Sequence, residues 1–267
     1  MMSQFLSRFK PWLGLCMWGV SVLAMAQAQT QAPTQTQIQT LTVWSAGAAQ
    51  APMQELVPIF QQRTGIAVNI KYAPVGVWVR ELASGAAPDV LLLSADVVAE
   101  LQTKGWVTPQ SVHPLGSVGI GVAVKRGAAL PDVSTPEALK NALIKAQSIA
   151  YMDPQKGTSG KHFDAVLQQL GIADQVKAKT RLGDAGFVLE PVARGEIELG
   201  VQQITEILPV QGAQLVGPLP APLQKITTYS VMQSSASVRK SEAEAFSQFL
   251  LSAQAAAVFR SKGFDVK

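Results

Sequence analysis

The sequence predicts an α/β protein that is built from two lobes. Short apolar runs that suit strands alternate with stretches whose apolar residues recur at helical spacing, and glycine-containing turns separate them. This alternation is typical of sheets that are mainly parallel. The chain has 267 residues, of which 48% are hydrophobic, and two separate cores fit that length better than one.

The charge of the chain is nearly balanced. It carries 22 lysines and arginines against 18 acidic residues, for a formal net charge of +4. Its longest basic runs are pairs such as Lys125-Arg126 and Arg239-Lys240. We therefore expect no nucleic-acid partner.

The N-terminal segment has the pattern of an export signal. Arg8 and Lys10 precede an apolar stretch at residues 12–25, and two A-x-A motifs follow, the second of which ends at Ala28. A retained membrane anchor is the alternative, but spanning a bilayer takes roughly 20 apolar residues, more than this stretch provides. We predict a cleaved signal peptide at residues 1–28, a flexible leader at 29–40, a periplasmic location and no membrane insertion after cleavage.

The first part of the chain is predicted to alternate strands and helices. Residues 41–44 form a short strand that runs into small residues, and the amphipathic helix after it ends at Thr64-Gly65. The run at 89–93 is almost wholly apolar, as in a strand that is buried on both faces. In between, we predict a strand at 67–72 and a helix at 77–82.

The later elements continue the pattern. Thr135 and Pro136 supply an N-cap and a first-turn proline for a helix that extends to Ile144. His113, which precedes Pro114, is predicted to lie in a loop. The other predictions are helices at 96–103 and 159–170, strands at 118–125, 148–152 and 199–201, and a return strand at 227–230.

Two glycine-containing turns that follow strands are the best candidates for binding. The first carries Ser45, Gly47 and Ala48, and the second ends in Thr158, Ser159 and Gly160. Each opens a helix, whose N-terminal N–H groups can hold an anion at the carboxyl edge of a sheet. An ordinary strand-to-helix turn is the alternative for each, and the sequence leaves both interpretations open.

No metal-binding or hydrolase motif accompanies these turns. The chain has 2 histidines, neither of them beside a histidine or carboxylate at metal-ligand spacing. Its one cysteine, Cys16, lies in the predicted signal peptide. We therefore expect no metal and no cofactor. His162, early in the helix after the second turn, is a candidate base or a partly exposed residue without a chemical role.

Four stretches of the chain resemble the periplasmic solute-binding proteins of the molybdate-binding type, a family that includes aconitate isomerase-like members. They cover most of residues 41–203: LTVWSAGAAQAPMQELVPIFQQRTGIAV, RELASGAAPDVLLLSADVVAELQTKGWV, GSVGIGVAVKRG, and YMDPQKGTSGKHFDAVLQQLG with RLGDAGFVLEPVARGEIELGV. The resemblance implies a type II periplasmic-binding-protein-like fold, with two doubly wound lobes that are joined by crossover strands and close on a ligand. It implies a first lobe at residues 41–118 and 228–267, and a second lobe at 119–227.

The resemblance also implies where an oxyanion would bind without cations. The family's binding positions fall on Ala48, on Val75 or Gly76, and on Ser159, Ala185 and Gln203. The chain departs from the family here, because the first two positions lack a hydroxyl and Gln203 replaces a tyrosine. Each donor that is lost to a buried dianion costs about 1–3 kcal/mol, so the departure disfavours molybdate.

The donors that remain suit a small organic carboxylate. A glutamine side chain both donates and accepts, which fits a ligand that mixes hydroxyl and carboxylate groups. The alternative for Arg80 is a structural salt bridge, and the alternative for Gln202 and Gln203 is that they cap the next helix and face solvent. The neutral donors are Ser45, Thr158, Ser159, Gln202 and Gln203, and the cations are Arg80 and Lys156.

Two functions are compatible with such a pocket. One is binding of a di- or tricarboxylate by a monomeric protein for uptake through an ABC-type permease, which we favour because most members of this architecture bind without chemistry. The other is an isomerase that interconverts cis- and trans-aconitate by proton transfer. In that case the base would be His162, Lys156 or Glu206.

Overall fold

The computed structural model of the chain describes residues 40–184 and 188–267. Two five-stranded sheets, each flanked by helices, confirm the predicted α/β class with two lobes. The predicted signal peptide, and the leader up to residue 39, lie outside the described residues. Thr40, which we assigned to the leader, begins the first strand.

The ten strands and ten helices of the described residues are numbered in chain order. The strands are β1 (Thr40–Ser45), β2 (Ala67–Tyr72), β3 (Val90–Ser94), β4 (His113–Val118), β5 (Ile120–Lys125), β6 (Ile149–Met152), β7 (Thr180–Gly183), β8 (Leu199–Gln203), β9 (Ala213–Pro218) and β10 (Thr227–Gln233). The helices are α1 (Gln50–Thr64), α2 (Val75–Ala83), α3 (Val98–Thr103), α4 (Pro136–Lys145), α5 (Thr158–Gln169), α6 (Ala173–Lys177), α7 (Glu190–Arg194), α8 (Ile204–Ile207), α9 (Lys240–Leu250) and α10 (Ala253–Ser261).

Each lobe is organised around one sheet. The first sheet has the strand order β2-β1-β3-β10-β4, and the second has the order β7-β6-β8-β5-β9. The chain therefore passes from the first sheet to the second between β4 and β5, and returns through β10. The apolar core of the first lobe contains Phe60 and Phe246, which meet edge to face at 4.9 Å. The core of the second lobe contains Tyr151 and Phe163, whose ring centroids lie 5.0 Å apart.

The prediction of mainly parallel sheets is wrong for half of the strand pairs. In the first sheet β1 pairs in parallel with β2 and β3, whereas β10 runs antiparallel to β3 and β4. In the second sheet β6 pairs in parallel with β7 and β8, whereas β5 runs antiparallel to β8 and β9. The antiparallel pairs all involve the strands that carry the chain between the lobes, and the strand-helix alternation contains no signal for that reversal.

The strand predicted at 118–125 is two strands. β4 ends at Val118 and β5 begins at Ile120, in different sheets, with Gly119 between them. Gln224 bridges this junction, because its side chain accepts from the Ile120 N–H and donates to the Ile120 carbonyl, both at 2.8 Å. The loop predicted at His113 is also wrong, since His113 begins β4. That strand lies at the edge of its sheet, where Pro114 is tolerated.

Two local predictions that position the site are confirmed. The Thr135 hydroxyl accepts from the Ala138 N–H at 3.1 Å and caps α4. The second glycine-containing turn leads from β6 into α5, as expected. The start of α5 lies so close to β6 that a Cβ on Gly160 would overlap the carbonyl oxygen of Met152. Among the described residues, no helix has the length and apolar character needed to cross a membrane.

Candidate functional site

The N-termini of helices from both lobes meet in a cleft between the two sheets. The first turn leads from β1 through a short 3-10 helix, Gly47–Ala49, into α1, and the second leads from β6 into α5. The N-terminus of α2 touches the second turn directly, because the Gly76 N–H donates to the Lys156 carbonyl at 3.2 Å. This contact joins the lobes in a closed arrangement. The first turn meets the second lobe at a different residue, Glu206, whose carboxyl lies against Gly47.

Ser45 supports the first turn more than it serves a ligand. It is fully buried, and its hydroxyl donates to the Ala46 carbonyl at 3.0 Å. Its own carbonyl accepts from the indole N–H of Trp78 at 2.9 Å, and Trp78 stacks on Trp44 with ring centroids 4.6 Å apart. The buried Ala48 leaves only backbone to offer from this turn.

The residues predicted on α2 lie at its first and last turns. Val75 is buried and Gly76 half-buried at the N-terminus, where the backbone N–H groups face the cleft edge. Arg80 is exposed, and its Nη1 lies 3.7 Å from where a Cβ on Gly76 would be. Arg80 forms no ion pair with any other residue in the described part of the chain, so the salt-bridge alternative gains no support.

The second turn presents Thr158 and Ser159 at the start of α5. Thr158 is half-buried and Ser159 is buried. Gly160 belongs to the packing of α5 on β6 rather than to the cleft surface, as its contact with Met152 shows. The hydroxyl and N–H groups of the first two residues are the donors that this turn offers.

Lys156 is held by carboxylates of its own lobe. Its ammonium is hydrogen-bonded to Asp184 and lies 3.6 Å from Asp153. The hydrogen bond to Asp184, with the charges of both carboxylates, raises the pKa of Lys156 above its ordinary value. A lysine that keeps its proton more firmly is a poor base at neutral pH.

His162 faces a second opening of the cleft. Its Nε2 lies 2.8 Å from the Leu223 carbonyl oxygen, which holds the ring in place. It lines a cavity of about 590 Å³ together with Thr158, Lys161, Asp96 and Lys225. Lys225 and Asp96 form an ion pair of 2.6 Å at this opening.

Gln202 and Gln203 end β8 as fully buried side chains. Each is 1% exposed, and neither caps α8, so the solvent-facing alternative is wrong. The side-chain nitrogen and oxygen of both lack a hydrogen-bond partner among the described residues. Successive strand residues point to opposite faces, which separates the two amides. Buried amides without partners are rare in folded proteins and are expected where a ligand or water completes them.

Tyr229 is a candidate site residue that the sequence did not reveal. It lies in β10, is 2% exposed, and has its pKa raised, first by burial and then by the nearby charge of Glu206. Thr158 and Gln203 lie close enough to its hydroxyl to lower that pKa slightly, though without hydrogen-bond geometry. A phenol is therefore present beside Gln203, contributed by the strand that returns between the lobes.

Glu206 contacts the opposite lobe. It lies in the first turn of α8, and a Cβ on Gly47 would overlap its Oε1. Burial raises its pKa to about 7, while the neighbouring Gln202 amide lowers it to a lesser extent without hydrogen-bond geometry. It also lines a cavity of about 300 Å³ between α1 and α8.

The last predicted site residue, Ala185, lies outside the described residues. The described residues contain no group of three or more histidine, cysteine or acidic side chains that is arranged to hold a metal ion.

Known proteins resemble this chain along almost all of its described length. A protein named aconitate isomerase from a Pseudomonas species is 35% identical over 230 residues, which cover 84% of this chain and 87% of the relative. The molybdate-binding protein ModA of Escherichia coli K12 is 26% identical over 235 residues, which cover 85% of this chain and 89% of ModA. The solved periplasmic molybdate-binding protein of Azotobacter vinelandii shares the fold with a TM-score of 0.72 at 20% identity, over 85% of this chain and 99% of the other. The model of the family described as bacterial extracellular solute-binding protein matches residues 41–265, and the chain belongs to that family.

Proposed function

We propose that this protein holds a small organic anion, with two or three carboxylates, in the cleft between its lobes. The observation that carries this proposal is the buried, unpartnered amide of Gln203 beside the hydroxyl of Tyr229. Together with Thr158 and the N-terminus of α5, these groups offer both donors and acceptors. A polycarboxylate would accept from the amide nitrogen and from the Tyr229 hydroxyl, and either a hydroxyl of the ligand, as in citrate, or a bound water would donate to the amide oxygen.

The same groups argue against molybdate. Its binding positions at Ala48 and at Val75 or Gly76 carry no hydroxyl, and the hydroxyl of Ser45 already donates to its own turn. Tyr229 supplies a phenol but does not replace those two donors. The missing hydroxyls would cost a buried dianion about 2–6 kcal/mol in total, which is one to several decades of affinity.

In this proposal the protein is exported and works as a monomer in the periplasm. The N-terminal segment supplies the signal peptide at residues 1–28. The protein would then deliver its anion to an ABC-type permease, as expected from a solute-binding family. One relative is named as a substrate-binding lipoprotein of an ABC transporter, from Bacillus subtilis, at 25% identity.

The isomerisation of cis- and trans-aconitate is the second candidate, and Glu206 is the observation that favours it. A carboxyl with a pKa of about 7 exchanges its proton readily at neutral pH, in either direction. Such a group would remove a proton from the methylene carbon of aconitate while the double bond shifts. It would then return a proton to the other end of the allylic system. The 35% identity to a protein named aconitate isomerase also supports this candidate.

A thermal-shift screen of residues 29–267 tests the binding proposal. The panel contains molybdate, tungstate, sulfate, citrate, and cis- and trans-aconitate, because a ligand that binds the folded state raises Tm. We expect shifts with the tricarboxylates and none with molybdate. A shift with molybdate alone would contradict the proposal. Ultraviolet absorbance of the cis- and trans-aconitate mixtures then separates binding from isomerisation, since the two isomers absorb differently.

A further inference from the structure

Gly47 is a glycine because of the space that Glu206 needs. Its backbone lies outside the left-handed region, so the conformation itself does not require glycine. The constraint comes from the opposite lobe, where the Oε1 of Glu206 occupies the volume that a Cβ on Gly47 would fill. Gly47 precedes α1 in the first lobe, whereas Glu206 opens α8 in the second. The contact therefore exists only while the lobes are closed.

No cation from the described residues lies beside Glu206. From the first lobe the residues at its cavity are Gly47, Gln50 and Gln54, and from β8 the neighbour is Gln202. The titratable groups that face it are Tyr229 from β10 and Glu190 from α7. Glu190 is exposed and lies 3.7 Å from Arg194, which takes up its charge. In this setting closure reduces the hydration of Glu206 without giving it a counter-charge, which favours the protonated carboxyl.

The cavity beside Glu206 gives it contact with bulk water on one side. It has a volume of about 300 Å³ and lies apart from the larger opening lined by His162 and Lys225. Its lining is mainly amide and apolar: Gly47, Gln50, Ala51, Gln54, Glu190, Thr205, Pro209, Val210 and Gln211 accompany Glu206 there. A proton can thus reach the carboxyl while a ligand occupies the cleft.

We infer that Glu206 is the proton-carrying group of the closed cleft. It accepts one proton from bulk water through the cavity beside α1 when the lobes close on an anion, and it releases that proton when they open. The inference deepens the proposed function, since it assumes an anion in the cleft. It assigns Gly47 the role of a positioning residue, which leaves room for the carboxyl.

The raised pKa of Glu206 gives the sign of the pH dependence. A carboxyl whose pKa rises from 4.5 to about 7 on folding stabilises the folded state below pH 4.5 relative to high pH. This advantage is lost as pH rises through 7. Anion binding should follow the same direction and weaken as pH rises from about 5 to 7.

Calorimetric titration tests proton uptake directly. Trans-aconitate and molybdate serve as probes, each in two buffers of different ionisation enthalpy at pH 6. We expect wild type to take up about one proton per anion bound, and its affinity to fall up to tenfold per pH unit between about pH 5 and 7. Glu206→Gln should take up none. Glu190→Gln is the matched control, because this carboxyl lines the same cavity but is exposed and paired, and it should behave as wild type. Binding to wild type without proton uptake would overturn the inference.

Two further measurements separate this inference from the proposed function. The Tm of Glu206→Gln should exceed that of wild type by a margin that widens by about 5–10 °C between pH 5 and pH 8. Parallel profiles would overturn the inference. Gly47→Ala should weaken binding by up to about tenfold, because the Glu206 carboxyl is the end of a flexible side chain and can shift towards the adjacent cavity, and Gly47→Ala combined with Glu206→Ala should recover part of the loss. If neither anion binds wild type, the proposed function fails and the Tm profiles decide the inference alone.

Discussion

At the scale of single residues, two glutamines of this protein contrast with each other. Gln224 is half-buried and satisfies the backbone of Ile120 where the chain crosses between the lobes. Gln203 is fully buried, and its amide has no hydrogen-bond partner among the described residues. Gln224 therefore stabilises the fold, and we propose that Gln203 contacts the ligand.

This difference predicts opposite effects of the same substitution. Gln224→Leu should lower the free energy of unfolding by about 1–3 kcal/mol, because it leaves the Ile120 N–H and carbonyl without partners. Gln203→Leu should leave stability unchanged or raise it, yet weaken binding of trans-aconitate at least tenfold. Urea denaturation and calorimetric titration measure the two effects. A large loss of stability in Gln203→Leu would show that this amide is structural.

A more conservative substitution, at Tyr229, tests the same pair of neighbouring side chains, Gln203 and Tyr229. Tyr229→Phe removes only a hydroxyl that lacks hydrogen-bond geometry to its neighbours, so Tm should change little. The affinity for trans-aconitate should fall about tenfold, as expected for one lost hydrogen bond to a charged group. Tyr151→Phe is the control, because Tyr151 packs against Phe163 in the core of the second lobe. Equal affinity of both variants and wild type would remove Tyr229 from the site.

The sequence pointed to the candidate site residues at the end of a predicted strand but not to Tyr229, which lies within a strand. Gln202 and Gln203 could be placed at the carboxyl end of a strand because that position follows from the chain order alone. Tyr229 comes to the site from a strand that pairs with both β3 and β4. Its position therefore depends on long-range pairing, which residue patterns do not encode.

At the scale of elements, the packing of α5 on β6 sets the position of the second turn. Gly160 allows the first turn of α5 to contact the Met152 carbonyl. The helix therefore starts close to the end of the sheet, where its N–H groups reach the cleft.

Replacement of Gly160 should strongly destabilise the protein. Gly160→Ala should cost about 2–4 kcal/mol of stability, because the new methyl group would overlap backbone that cannot move without shifting β6. Gly217→Ala is the matched control, since a Cβ there would meet only Val133, at 3.6 Å. Thermal unfolding of both variants measures the difference. An equal Tm for the two would mean that α5 relaxes away from β6 without penalty.

The predictions of strands and loops were wrong where the chain passes from the first sheet to the second. Residues 113–125 read as one loop and one strand, because Val118 and Ile120 are both apolar and Gly119 alone is a weak break. In the fold these residues belong to two sheets. The helices with strong caps, such as α4, were predicted correctly since their signals are local.

At the scale of the whole molecule, the contacts between the lobes determine how firmly the cleft stays closed. Lys225, which precedes β10, pairs with Asp96 after β3 at 2.6 Å. Both side chains are about one-third to two-fifths exposed, at 35% and 43%. Such a pair contributes about 0.2–1 kcal/mol and is screened by salt.

Removal of this pair should therefore affect ligand affinity modestly. Lys225→Met should weaken binding of trans-aconitate about two- to fivefold at low salt, with a smaller effect at high salt. Lys262→Met is the control, because Lys262 pairs with Glu55 at 2.9 Å on helices of the first lobe only. Calorimetric titration at two ionic strengths compares them. If both variants lose affinity equally, the Lys225 pair has no special role in closure.

The proposed ligand class, a small organic carboxylate, is tested most directly by the ratio of the dissociation constants for trans-aconitate and molybdate. Trans-aconitate and molybdate are titrated separately into residues 29–267 at pH 6.5, where Glu206 is largely protonated. We predict that trans-aconitate binds at least a hundredfold more tightly than molybdate, in line with the missing hydroxyls at Ala48 and Val75 or Gly76. Tighter binding of molybdate would contradict the account.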